Sequence, residues 1–525
     1  MRPQPCVRDI RGGVLLVEYP DASEEQANRA AVALGRRLRG DGVRGLLDAI
    51  AGARTLLVLF EPARLRRDRL AERIEIESRR GAEEGRARRL IRIPVSYGGD
   101  DLPELSRASG LSRDEFARRH AAAEYRVAFV GFVPGFPYLV GLPPELCAPR
   151  LASPRRRVAA GSVAIGGSYT GIYPQDSPGG WRLIGKTAAE LFDPGANPPA
   201  LLGAGDYVRF DPVRAEELAG APKKPRPVKP PGGRPIFRVL ASGLFTSIQG
   251  APRYGLGSSG VPPGGAMDRR SQARANALVG NSAIAPVLEM TLVGAELEAL
   301  EETVVAVAGA DLSADCGGRR APCGEAFRVT AGERLRLGRA RRGARAYLAV
   351  RGEIANPRLP GETSRRLEAG ELVYGAVGVR RRAIGPPSAP PPDLPEELFL
   401  RVALGPQTTH FPQAEIDRFL SSPWRVSSAS DRRGLRLEGE RLTHALAPET
   451  EPEGTVDGSV QVPGNGLPIV LGPDGPVTGG YPKIATVIGA DLPLLGQAGP
   501  GTTLRFRPVE LPEALEAWPA EGGRR

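Results

Sequence analysis

Two stretches of this chain cannot enter a hydrophobic core, and they dictate how the rest divides. Ala221-Pro222-Lys223-Lys224-Pro225-Arg226-Pro227-Val228-Lys229-Pro230-Pro231-Gly232 is almost wholly proline and cation. Proline fixes φ and removes a backbone donor, so such a run reads as a stiff, exposed connector. Pro386-Pro387-Ser388-Ala389-Pro390-Pro391-Pro392-Asp393 is a second. The expected organisation is a module over 1–88, a domain over 89–215, a linker over 216–235, a domain over 236–385, a linker over 386–395, a domain over 396–510 and a tail over 511–525.

The three larger blocks share an ending. Gly205-Asp206-Tyr207-Val208-Arg209-Phe210, Gly332-Glu333-Arg334-Leu335-Arg336-Leu337 and Gly501-Thr502-Thr503-Leu504-Arg505-Phe506 are each a glycine turn leading into an alternating strand. Their openings match more loosely: Ile91-Arg92-Ile93, Phe237-Arg238-Val239 and Leu400-Arg401-Val402. A unit recurring at this spacing implies a duplicated domain. With 67 Gly and 52 Pro in 525 residues, each unit must be built from short strands and turns, which suits a small closed barrel. The first 88 residues differ. Gly13–Tyr19 and Thr55–Phe60 read as strands, and Glu24–Leu38 and Pro62–Ser78 as helices, giving an α+β module.

Several functions are disfavoured. The net charge is +11, but the Arg are interleaved with acids and aromatics are only 5%, which argues against nucleic-acid binding. No apolar run approaches the ~18 residues of a membrane span, no secretory signal opens the chain, and four cysteines are too few for a disulfide framework. The expectation is a cytoplasmic protein with no membrane contact. His120, His410 and His444 lack metal-ligand spacing, so no metal site is expected, and His120 reads as a packed or capping residue. Gly180-Trp181-Arg182-Leu183-Ile184-Gly185-Lys186-Thr187 fits the phosphate-loop pattern by letter, yet its bulky alternating residues read as a strand. Thr187 is expected to cap a short helix over 188–192 beside Lys186, a place that favours anions. Gly255-Leu256-Gly257-Ser258-Ser259-Gly260 fits the dinucleotide fingerprint, but Val261-Pro262-Pro263 cannot begin the required helix, so it reads as a structural loop. Asp268 is a natural N-cap for a helix over 269–279. The chain holds only five lysines, of which Lys186 and Lys483 lie outside the linker.

Three stretches are too rich in Gly, Pro and polar residues to be ordinary strands: 130–181, 243–279 and 430–483. The first carries Gly131-Phe132-Val133-Pro134-Gly135-Phe136-Pro137-Tyr138-Leu139 and Ser177-Pro178-Gly179-Gly180-Trp181. The second carries Gly265-Ala266-Met267-Asp268 and an Ala275-Asn276-Ala277-Leu278-Val279-Gly280-Asn281 run ending at Leu288-Glu289. The third carries Ser430-Asp431-Arg432 and Thr478-Gly479-Gly480-Tyr481-Pro482-Lys483. In order and spacing these resemble the family formed by the B and C components of 5-oxoprolinase (also called allophanate hydrolase components 1 and 2) and the carboxyltransferase region of urea carboxylase. Residues 8–215 resemble the B component and residues 236–510 the C component, as in a natural fusion.

The resemblance implies a mainly β protein with an α+β N-terminal module and three cyclophilin-like β-barrel domains. It implies part of an ATP-dependent 5-oxoprolinase, using ATP with Mg2+ and working with a separate A component of the LamB/YcsF family on a small amide or lactam. Under it Lys186, Lys483, Asp431 and Arg432 would be the catalytic residues, the two lysines with Arg155 as anion-binding groups and Asp431 with Arg432 as a site-organising pair, and Ser162 and Gln461 would hydrogen-bond an amide. Gln249 and Tyr481 would contact substrate or an anion, Tyr138 and Trp181 would line a pocket, and Asp268 would act as a base or remain a cap. Two other readings stand beside it: a biotin-dependent carboxyltransferase acting on urea or a similar amide, and a non-enzymatic binding protein resembling kinase inhibitors. The chain lacks a Met-Lys dipeptide, so no covalent biotin is expected in it. A homo-oligomer is left open.

Overall fold

The computed structural model describes residues 3–80, 89–218, 233–356, 364–378, 383, 385 and 397–517. Both proline-rich connectors and the end of the tail lie outside the described residues.

The N-terminal module is a four-stranded antiparallel sheet in the order Cys6–Arg11, Val14–Glu18, Leu56–Phe60, Leu46–Ala51. Ser23 and Gln26 form a capping box that starts the helix Glu24–Gly40. The second helix begins at Arg67 rather than Pro62, because the amides of Arg64 and Leu65 turn back onto the Glu61 carbonyl. Leu15, Val17, Leu56 and Val58 pack beneath the helices. On the opposite face Val14, Leu16, Ile50 and Leu57 pack against Val456 and Val477 from the far end of the chain. The sheet is thus buried on both sides, which explains why its central strands are apolar without alternation.

Residues 89–218 form a closed seven-stranded barrel. The shared opening and ending meet: Tyr207–Pro212 lies parallel to Leu90–Tyr97, in register from Tyr207–Leu90 to Pro212–Val95. A second closed seven-stranded barrel spans 397–508, and Thr503–Pro508 lies parallel to Glu397–Leu404 in the same manner. The middle block departs from the expected third barrel. Its strands form a six-stranded and a five-stranded sheet around one core, with Val239, Leu297 and Leu335 from one facing Leu288, Val307 and Leu348 from the other. Its recurrent ending, in the strand Arg334–Arg336, pairs with Glu296–Ala299 rather than with the opening strand Pro235–Ala241, which is bordered instead by Leu372–Tyr374. The chain runs on after that ending into Arg345–Val350 of the other sheet, so the opening strand never meets it. The helix Arg269–Leu278 packs on this second sheet through Ala275 and Leu278 against Tyr347.

Candidate functional site

A cavity of about 680 Å³ opens where the first barrel, the middle block and the last barrel meet. The first barrel contributes the loop Phe132-Val133-Pro134, the middle block Phe245 and Arg345, and the last barrel Asp431, Arg432 and Asp474. The loop reaches the junction because its backbone is held in an unusual shape. Phe132 sits in the left-handed region with φ 65°, sparsely populated for a non-glycine residue and found mostly where surrounding structure enforces it. The neighbouring Gly131 is forced by contact: a Cβ there would lie 1.8 Å from Thr478 Oγ1 of the last barrel. The Gly135 amide donates to the Ser259 carbonyl at 2.9 Å, fastening the loop to the middle block.

Arg432 is the hub of the cavity wall. It is 5% exposed, and its guanidinium donates to Asp474 at 2.8 and 3.1 Å, to Glu289 and to the Gly265 carbonyl at 2.6 Å. Burial works against its charge, but Asp474 and Glu289 outweigh burial and hold its pKa above the usual arginine value. Ser364 bridges Arg432, Asp474 and Gln249. Glu289 accepts on its other oxygen from the Met267 amide at 2.9 Å. Arg345, also 5% exposed, donates to the Gly496 carbonyl at 2.6 Å, and burial pulls its pKa down. Its Nε lies 3.9 Å from Glu289, too far to hydrogen-bond, and has no hydrogen-bond partner. A buried, cationic donor without an acceptor at the wall of a cavity suits an anionic or strongly polar guest.

The expected site residues are distributed unevenly. Arg432 and Asp431 line the cavity, and Gln249 stands behind it through Ser364. Asp431 and Arg432 do not pair with each other. The Asp431 carboxylate accepts from the Arg433 and Gly434 amides and shapes a turn, because adjacent side chains on this loop point apart. Lys483 is no free anion-binding cation: it is buried and its ammonium is bound to Glu453, which Gln407 also contacts. Gln461 is buried beside Gly479 with its Nε2 unpartnered, as is the Thr478 hydroxyl. Tyr481 is 38% exposed.

The residues drawn from the first barrel lie outside the cavity wall. Tyr138 and Trp181 belong to an aromatic core, edge-to-face at 5.4 Å, with burial pushing the Tyr138 phenol up to about 12. Arg155 donates to Asp101 at 2.7 Å. Ser162 and Lys186 are cross-strand neighbours, Ser162 buried and Lys186 exposed. The helix expected over 188–192 does not form. Thr187 Oγ1 accepts only the Ala189 amide, and Leu191 enters the barrel core instead. Five residues gain too few hydrogen bonds to offset helix nucleation. Asp268 does cap the helix Arg269–Leu278, accepting from the Ser271 amide at 3.0 Å, and faces a different cavity. Sequence reasoning assigns no site role to Asp474, Ser364 or Arg345; Asp474 stands only four residues before the Thr478-Gly479-Gly480-Tyr481 stretch that supports the resemblance. Glu289 carries a signal, since it ends the Asn-rich run that supports the resemblance.

Residues 5–202 match the model described as carboxyltransferase domain, subdomain C and D, and residues 259–508 match subdomain A and B of the same domain. The C component of 5-oxoprolinase from Escherichia coli is 36% identical over 293 residues, covering 54% of this chain and 94% of that protein. The chain belongs to the carboxyltransferase-domain family. The B component of 5-oxoprolinase from Bacillus subtilis is 36% identical over 225 residues, covering 40% of this chain and 93% of that protein. In fold, the crystal structure of TTHA0988 superposes with a TM-score of 0.84 at 36% identity, covering 96% of this chain and all of that one. Family members that are separate B and C components elsewhere correspond here to consecutive parts of one chain. Among the described residues no helix is long and apolar enough to cross a membrane.

Proposed function

We propose that the chain unites the B and C components of an ATP-dependent 5-oxoprolinase, and that the central cavity holds and activates the lactam. One observation carries this reading: a single cavity is walled by both halves, which correspond to separate 5-oxoprolinase components among the relatives. A shared site gives a reason for fusion, since joining the halves raises their effective concentration.

The chemistry fits the wall. An amide resists ring opening because the nitrogen lone pair makes its carbonyl carbon a poor electrophile. Transfer of the ATP γ-phosphoryl group to the lactam oxygen, releasing ADP, would make that carbon electrophilic enough for water to add; the C–N bond then breaks with the nitrogen leaving as the amine, and hydrolysis of the resulting acyl phosphate releases phosphate. The chain's own part is to bind, orient and stabilise charge. Phe132 and Phe245 offer apolar surface to ring methylenes, and the Arg345 Nε and the Arg433 side chain offer donors to oxygens that gain negative charge. Arg432 is saturated by Asp474 and Glu289, so its role is to hold the wall in shape.

The test is ADP release by the purified chain with ATP and 5-oxoproline, with and without an A component of the LamB/YcsF type. Turnover should require both small molecules and the partner. Arg433→Gln should lower kcat/KM by on the order of 10-fold or more through loss of a charge-assisted bond. A folded chain that releases no ADP above background with the partner present defeats the proposal.

A further inference from the structure

A small cavity, about 200 Å³, lies on the seam between the two halves and shares no lining residue with the central one. Three parts of the fold meet on its wall: Arg11 from the N-terminal sheet, Tyr254, Arg269 and Arg270 from the middle block, and Asp457 and Leu471 from the last barrel. Arg11 stands at a register shift that ends the strand Cys6–Arg11, and its side chain crosses to the last barrel.

Three guanidinium groups here face one carboxylate. Arg11 is 5% exposed, and its Nη2 donates to Asp457 at 2.6 Å and its Nη1 to the Val487 carbonyl at 3.3 Å. Its Nε is buried with no hydrogen-bond partner. Arg269 approaches the other Asp457 oxygen at 3.5 Å, so that one acid is shared by two arginines. Arg270 forms no ion pair among the described residues and donates to the Ala490 carbonyl at 2.9 Å. Three cations against one anion leave an excess of two positive charges on this wall. Water screens that excess poorly beside apolar neighbours, and a donor as deeply buried as the Arg11 Nε costs free energy until an acceptor meets it. Arg270 also lines a larger cleft whose wall carries Arg320 and Arg341, so positive potential extends outward from the seam. The volume lies below the roughly 300 Å³ at which sites for drug-sized ligands begin, which excludes a nucleotide.

We propose that this seam cavity binds a small dianionic oxyanion, either inorganic (sulfate or hydrogen phosphate) or a short dicarboxylate, which bridges Arg11 of the first half to Arg269 and Arg270 of the second. Guanidinium forks match such oxygens in pairs. The bridge makes anion binding and the docking of the halves one linked equilibrium. The assignment does not rest on the oxoprolinase reading.

The test is calorimetric titration of the full chain with sulfate, phosphate, succinate and acetate, each at an ionic strength held constant with chloride. At least one of the three dianions should bind at a single saturable site, and acetate at least tenfold more weakly. Arg270→Gln is the informative variant, because the side chain is exposed and removing it leaves no acid unpaired. It should weaken the dianion at least tenfold through loss of a charge-assisted contact. Arg433→Gln, in the central cavity, should leave the affinity unchanged. Tighter sulfate and phosphate than succinate assigns the inorganic oxyanion, and the reverse order assigns the dicarboxylate. The bound dianion should also raise the urea midpoint of the wild-type chain more than that of Arg270→Gln, which separates binding at the site from the general stabilisation that sulfate gives. No saturable binding at millimolar concentration, equal affinity for acetate, unchanged affinity in Arg270→Gln, or loss of binding in Arg433→Gln instead would overturn the site.

Discussion

At the scale of a residue, Arg432 shows what a linear reading can and cannot see. Its position in a Ser-Asp-Arg motif marks it, and it does stand at the cavity. Its partners are Asp474 and Glu289, separated from it by 42 and 143 positions, and no local pattern pairs residues so distant. Removing one member of such a buried triad leaves uncompensated charge. Arg432→Met should therefore destabilise the chain by about 3–5 kcal/mol, read as a lower urea midpoint at unchanged slope. The triple replacement Arg432→Met/Glu289→Met/Asp474→Leu removes all the charges together and should recover most of that loss. A single variant as stable as wild type would show that the triad is solvated rather than buried. Lys483 carries the opposite lesson. Its rarity in an arginine-rich chain makes it conspicuous, but a conspicuous cation can serve a buried partner, here Glu453, as readily as a ligand.

Elements bounded by capping chemistry are legible in the sequence, and elements defined by tertiary closure are not. Ser23 and Asp268 mark their helix starts because each side chain accepts an amide that the helix leaves open. A recurring strand ending suggests a third barrel, yet strand pattern says nothing about which neighbour a strand takes. The helix Arg113–Ala122 presents a further consequence of docking. Its His120 is fully buried on the first barrel, with Tyr97 Oη 2.8 Å from Nδ1 and Thr170 Oγ1 3.0 Å from Nε2. Thr170 already donates to the Ala164 carbonyl, so Nε2 carries the proton and Nδ1 accepts from Tyr97. Burial pushes the His120 pKa down to about 3. The ring is neutral in the folded chain but takes a proton near pH 6.5 when unfolded. Below pH 6.5 the unfolded state binds more protons, so stability falls as pH drops toward 3, by at most about 1.4 kcal/mol per pH unit from this group. Above pH 6.5 it adds no pH dependence. Urea midpoints at pH 7, 6 and 5 should show a steeper decline for wild type than for His120→Gln, whose starting stability is lower. Parallel declines would mean that His120 is protonated without leaving its site.

At the scale of the molecule, a long connector joins halves that also hold each other. The outer face of the N-terminal sheet meets Val456 and Val477, and the Asp48 carboxylate accepts from the Gly255 and Gly257 amides at 2.9 Å each. This gives the glycine loop, which by letter fits a dinucleotide fingerprint, its place: a Cβ on Gly257 would lie 2.5 Å from Ile50 Cδ1, so the loop is close-packed against the first module. Arg11 adds a buried pair with Asp457 at 2.6 Å, where burial raises the carboxyl pKa but Arg11 and Arg269 lower it further. None of these contacts is visible in the sequence, since each block's pattern describes its own core. They predict that the connector is dispensable for assembly. A protease site placed within residues 221–232 and then cut should leave the two halves co-eluting in gel filtration at micromolar concentration. Because the seam combines a buried apolar patch with buried polar contacts, raising the salt to about 1 M should not part them, as it would surface ion pairs. Val456→Asp would bury a charge opposite Leu57 and Leu16, and in the cut protein it should release the halves. Separation of the cut wild-type halves at low salt would show that the linker alone holds the central cavity together.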